Sequence, residues 1–176
     1  MPPSVTLATC TISARVAFVL TIAELASAAI VTGAPGERIR SALDLAWRWE
    51  QSGDVTGAAL DHVLENEDDD GLLVDESAAP EHEVPAWVTI TSAIAYTAWH
   101  AFRHEGARQM PETIGEVTEE VIDQVTSYAH QVPGLDHAAI DRLVRYCVEH
   151  HQAAAASERG ASILRAAMMQ AAQSTA

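Results

Sequence analysis

The stretch "AWVTITSAIAYTAWHAFRHEG", residues 86–106, decides the class of fold. Its apolar residues recur at three- and four-residue steps, with Trp87, Ile90, Ile94, Ala98 and Phe102 along one stripe. That is the period of a helix with one face buried, not of a strand. Pro85 stands where a first helical turn tolerates a missing N–H, and Gly106 is a good C-terminal stop.

Working outward, the same period returns almost everywhere. Residues 8–31 place Phe18, Ile22, Leu25 and Ala29 on one face. "GAPG" at 33–36 turns the chain, and "ERIRSALDLAWRWEQ" at 37–51 groups Ile39, Leu43, Ala46 and Trp47 before Gly53 ends it. A short helix is expected over 57–66 with Thr56 as its cap, then a loop over 77–85. Further helices are expected over 119–131 and over 137–151, the latter capped by Asp136. The expectation is an all-α, single-domain bundle of about six or seven helices, with a short irregular or strand-like acidic turn near 66–75. Residues 1–152 read as the helical domain. Residues 153–176, "AAAASERGASILRAAMMQAAQSTA", read as an alanine-rich extension, helical or partly disordered, with one apolar patch at Ile163, Leu164, Met168 and Met169.

The 176 residues suffice for one ordinary domain. They carry 25 acids against 10 bases, a formal charge of −15, and every base is arginine. Nucleic acid and anionic membrane would both be repelled by such a chain, so neither is expected as a partner. Cys10 and Cys147 are far apart and outside any CxxC pair, which fits packed thiols in a reducing cytoplasm. The apolar run "ARVAFVLTIAELASAAIV" at 14–31 is interrupted by Glu24 and lacks a basic start, so it reads as a buried helix, not a secretion signal.

The acid is concentrated in "LENEDDDGLLVDE", residues 64–76, where seven of thirteen residues are acidic and none is basic. As a calcium loop it places Asn66, Asp68 and Asp70 at ligand positions before Gly71, but the bidentate carboxylate should fall on Ser77, and the segment leaving the loop contains proline. His100 and His104 have the spacing of metal ligands on one helix face, in the order HxxxHE with no third ligand evident nearby, although His150 and His151 are available elsewhere. Helix-end histidines favouring the dipole are the simpler reading. No nucleophile elbow, phosphate loop or dinucleotide fingerprint is present, and the solvated acids offer no burial to separate two pKa values, so no catalytic residue, cofactor or metal is assigned. Trp47 and Trp49, two apart on one helix, cannot share a face. Trp47 belongs to the apolar stripe, leaving Trp49 either buried by a second contact or displayed as an interface anchor.

Residues 42–76, "ALDLAWRWEQSGDVTGAALDHVLENEDDDGLLVDE", followed by 86–106, resemble predicted immunity proteins from bacterial polymorphic-toxin systems. The resemblance is carried by the W-x-W helix end at Trp47 and Trp49, the run from Gly57 to Asp69, the "GLL" after it, and the opening Ala86–Trp87. It continues through "MPETIGEVTEEVID" at 110–123 and the helix at 137–149, covering roughly residues 10–150. It implies a helical, cytoplasmic antidote encoded beside a toxin, with no catalytic residues. The expected function is neutralisation of a cognate toxin by direct binding, with Glu65, Glu67, Asp68, Asp69, Asp70 and Trp49 as the contact residues toward a basic toxin site. The alternatives are a metal-binding helical protein using the acidic turn or the His100/His104 pair, and an acidic regulator sequestering a basic partner.

Overall fold

The computed structural model describes residues 2–30, 34–66, 71–155 and 158–174. Among them are ten helices, α1 (Pro3–Leu7), α2 (Ile12–Ser27), α3 (Ala34–Ser52), α4 (Gly57–Glu65), α5 (Leu72–Ser77), α6 (Val84–His104), α7 (Glu112–Gly115), α8 (Val121–Ala129), α9 (His137–His150) and α10 (Arg165–Gln173). Seven have eight residues or more; α1, α5 and α7 are one- or two-turn pieces. The only strand-like pairing among the described residues is an isolated antiparallel bridge between Cys10 and Gln152. The single all-α domain expected from the pattern is what the chain forms.

Two helices make the centre. α6 packs on α2, α8, α4 and α3, and α2 in turn meets α3, α8, α9 and α10. The α2 helix buries twelve of its sixteen residues, from Ser13 through Ala23 and Ala26, so neighbours surround it instead of covering one face. A helix apolar on all sides must lie in a core or a membrane, and no helix among the described residues is long and apolar enough to cross a membrane. Glu24, which interrupts that apolar run, is used internally. It accepts the Trp47 indole N–H at 3.0 Å and pairs with Arg165.

Local signals placed several helix ends. Thr56 accepts the Ala59 N–H at 3.1 Å and Asp136 the Ala138 N–H at 3.0 Å. Gly53 and Gly106 take φ of 71° and 69° after α3 and α6, a region where a side chain would be strained. Two expectations are corrected. Leu72–Ser77, expected as strand-like or irregular, is helical: "LLVDES" is too short to show a period, and Leu72 alone is buried while Asp75 is held by Arg38. The α3 helix begins at Ala34, ahead of the expected 37, because Pro35 in a first turn forfeits no hydrogen bond.

The C-terminal segment is seated on the body. The first N–H groups of a helix have no partner within it, and in α2 those of Ile12 and Ser13 donate to the carbonyls of Glu158 and Arg159, each at 2.8 Å. Thr11 accepts the third, from Ala14, at 3.3 Å. Farther along, the Ile163 N–H donates to Glu50 at 2.9 Å, Arg165 reaches Glu24 and Asp44, and Met168 and Ala172 are buried on α10. Arg142 of α9 donates to the Ala172 carbonyl at the far end.

Candidate partner-binding surface

Between Arg48 and Arg103 the chain has no base and twelve acids: Glu50, Asp54, Asp61, Glu65, Glu67, Asp68, Asp69, Asp70, Asp75, Glu76, Glu81 and Glu83. Some are engaged within the fold. Asp75 receives both arms of Arg38, at 2.8 and 2.6 Å, and Glu76 accepts the Thr91 hydroxyl at 2.6 Å. Others are placed against local electrostatics. Asp61 and Glu65 stand one turn apart on α4, a like-charge spacing that weakens a helix. Burial, followed by the Glu65 charge, raises the Asp61 carboxyl above its usual range. Glu65 ends α4, where the helix dipole repels negative charge, and four more acids follow Asn66 in sequence. Helix stability gains nothing from acids so placed.

Beside this end of α4 lies a groove of about 640 Å³ between α3 and the α4–α5 pair. Ala42, Leu45, Val63 and Leu72 give it an apolar lining, with Glu37, Arg38, His62 and Asn66 among its polar residues. Glu65, half-buried, is the last residue of α4. Glu67, Asp68, Asp69 and Asp70 lie outside the described residues. Gly71 closes the turn under close contact: a Cβ there would sit 2.8 Å from both the Leu64 carbonyl oxygen and the Asn66 nitrogen. Gly71→Ala is therefore expected to cost about 1–3 kcal/mol, read as a lower urea midpoint with unchanged slope.

Trp49 is corrected as a displayed anchor. It is 1 % exposed. The Arg159 guanidinium covers its ring at 4.8 Å, while one arm donates to the Trp49 carbonyl at 2.8 Å. That cover comes from 110 residues away, so no local pattern could announce it. Trp49 is thus not presented to a partner in this fold.

Of the two histidines, His104 is exposed in the last turn of α6, as a helix-end histidine would be, whereas His100 is not. His100 is 4 % exposed and wedged against Tyr96 and Trp99, with Nε2 3.9 Å from a Glu119 oxygen. Burial, with Arg15 and Arg103 adding repulsion, lowers its pKa to about 3. His104 meets the Arg159 guanidinium at 3.4 Å. His150 and His151 stack on Tyr146 instead. Among the described residues no three His, Cys, Asp or Glu side chains are grouped to hold a metal. The calcium-loop geometry departs as well: Gly71 caps helix α5, and Glu76 is engaged by Thr91.

A family model described as immunity protein Imm6 matches residues 14–132, or 119 of the 176 residues. The match spans α2 through α8, including the groove and the acid run, and stops short of α9 and α10. No curated protein and no solved structure matches the chain.

Proposed function

The chain belongs to the Imm6 family of immunity proteins, and on that premise we propose that it neutralises one cognate toxin domain by direct, stoichiometric binding. The observation that carries this reading is Glu65 at the C-terminal end of α4, one turn from Asp61 and against the helix dipole, on the helix that walls a largely apolar groove. Acids there do not favour the helix, so their use is sought in a partner. A basic toxin surface, of the kind that grips phosphate, would be steered in by this field. An apolar side chain entering the groove between Leu45, Val63 and Leu72 would supply a contact less sensitive to salt. Glu65, Glu67, Asp68, Asp69 and Asp70 form the proposed contact patch. The same charge disfavours nucleic acid and anionic membrane as partners. The setting proposed is the bacterial cytoplasm, consistent with two buried free thiols, Cys10 and Cys147.

Two experiments test this. Co-expression with the toxin domain encoded beside it is expected to rescue growth and to yield a stable complex on gel filtration; neither rescue nor complex would overturn the antidote reading. Replacing Asp68, Asp69 and Asp70 together by Arg is expected to slow association by about 10- to 100-fold at low salt and to flatten its salt dependence. An association rate and salt slope equal to those of the unmodified protein would move the contact patch elsewhere.

A further inference from the structure

A second cavity, of about 710 Å³, shares no lining residue with the groove and carries an excess of positive charge in its lining. Three of the chain's ten arginines line it, from positions 15, 103 and 159, with Glu119 as the one lining acid. In a protein carrying −15 overall, this is a local reversal of sign. Its size falls within the roughly 300–1,000 Å³ of small-molecule sites.

The arginines are set in place by the fold. Arg15 is 3 % exposed on the central helix α2 and lies 3.7 Å from Glu119, whose other oxygen accepts the Tyr96 hydroxyl at 2.5 Å. Arg159 is fixed by the Trp49 and Glu50 carbonyls, at 2.8 and 3.1 Å, and lies over the Trp49 ring. Arg103, exposed at the end of α6, stacks 4.7 Å above Trp99, which is itself partly exposed. His100 lines the same space, and its buried ring nitrogen Nε2 makes no hydrogen bond. A buried polar atom without a partner is costly unless something fills the role. Guanidinium forks match carboxylate and phosphate oxygens, and their planes and the indoles beside them match flat rings.

We propose that this cavity binds a small, flat oxyanion, a ring-bearing carboxylate or phosphate ester of about nucleotide size. The guanidinium groups of Arg15, Arg103 and Arg159 hold the anionic end, and the Trp99–Arg103 stack receives the ring. Arg159 lies outside the region matched by the family model, so the site is completed by this chain's own C-terminal segment.

Calorimetric titration of the full chain with adenosine monophosphate, benzoate, inorganic phosphate and adenosine tests the proposal, with thermal shift as a second readout. Adenosine monophosphate or benzoate is expected to saturate below ~1 mM and to raise the melting temperature; whichever does so identifies the ester or the carboxylate as the preferred anion. Inorganic phosphate and adenosine, each lacking half of the ligand, are expected to bind at least about tenfold more weakly. Arg103→Ala is expected to weaken binding about tenfold, beyond the small loss of unliganded stability that its exposed stack on Trp99 accounts for. No saturable binding of either ring-bearing anion, phosphate binding as tightly as the ring-bearing anions, or an R103A variant with unchanged affinity would each overturn the proposal.

Discussion

Met168→Ala is expected to remove about 3 kcal/mol from the unfolding free energy, measured by urea denaturation. Met168 is fully buried on α10, which packs against α9 and α2. Truncating a buried methionine loses its transfer free energy and leaves a cavity that the neighbours only partly close. The size of the effect matters because Met168 lies in the alanine-rich stretch that reads from sequence as an extension. A loosely attached tail would unfold at no cost, and M168A would leave the transition in place. Docking of the tail touches more than α10: the carbonyls of Glu158 and Arg159 serve the first N–H groups of α2, and Glu50 receives the Ile163 N–H. Loosening α10 is therefore expected to be felt at the start of the central helix, as faster amide exchange at Ile12 and Ser13.

The second large effect is on pH dependence, where two buried groups oppose each other. Glu50 is fully buried and its pKa rises from 4.5 to about 7, through burial first, with the hydrogen bond from Ile163 pulling the other way. The folded state keeps a proton there that the unfolded chain sheds above pH 4.5, so this stabilisation is full below pH 4.5 and is lost as pH rises through 7. His100 behaves inversely. Its pKa falls from 6.5 to about 3, so the unfolded chain takes up a proton that the folded state refuses. That stabilisation is full above pH 6.5 and is lost as pH falls toward 3.

Between pH 4.5 and 6.5 the two contributions differ by one proton each, with opposite sign, and cancel. Glu50→Gln, which keeps the shape and the acceptor for Ile163, is expected to unmask His100. Stability should then rise with pH across that window by about 1.4 kcal/mol per unit. His100→Gln is expected to unmask Glu50 and to give a fall of similar slope. Glu24 and Asp61, also raised, and His151, lowered, contribute equally to both variants, so the difference between the two slopes isolates the pair. Parallel curves for the two variants would contradict the assigned protonation states.

Much of this protein was legible in the sequence because the relevant forces act over a few residues. The α6 stripe of Trp87, Ile90 and Ile94, the caps at Thr56 and Asp136, and the stops at Gly53 and Gly106 all follow from helical period and backbone geometry. The W-x-W end of α3 and the acid run were enough to point to the immunity family that the 14–132 match identifies. Shorter pieces escaped: Leu72–Ser77 spans under two turns, too few for a period to appear, and α1 and α7 are shorter still.

The features that depended on distant contacts were not legible. Trp49 was open to display until Arg159, 110 residues later, was found to cover it. Glu50, 113 residues from Ile163, carries no local signal of burial, and His100 read as a helix-end histidine, until packing took both out of water. No spacing rule brings Arg15, Arg103 and Arg159 to one cavity. By itself the sequence determined the longer helices, the excess of negative charge and the family, since period, capping and charge are local or additive. The tertiary structure alone decided which polar groups lose water and which distant charges meet, because desolvation and proximity exist only once the chain has closed on itself.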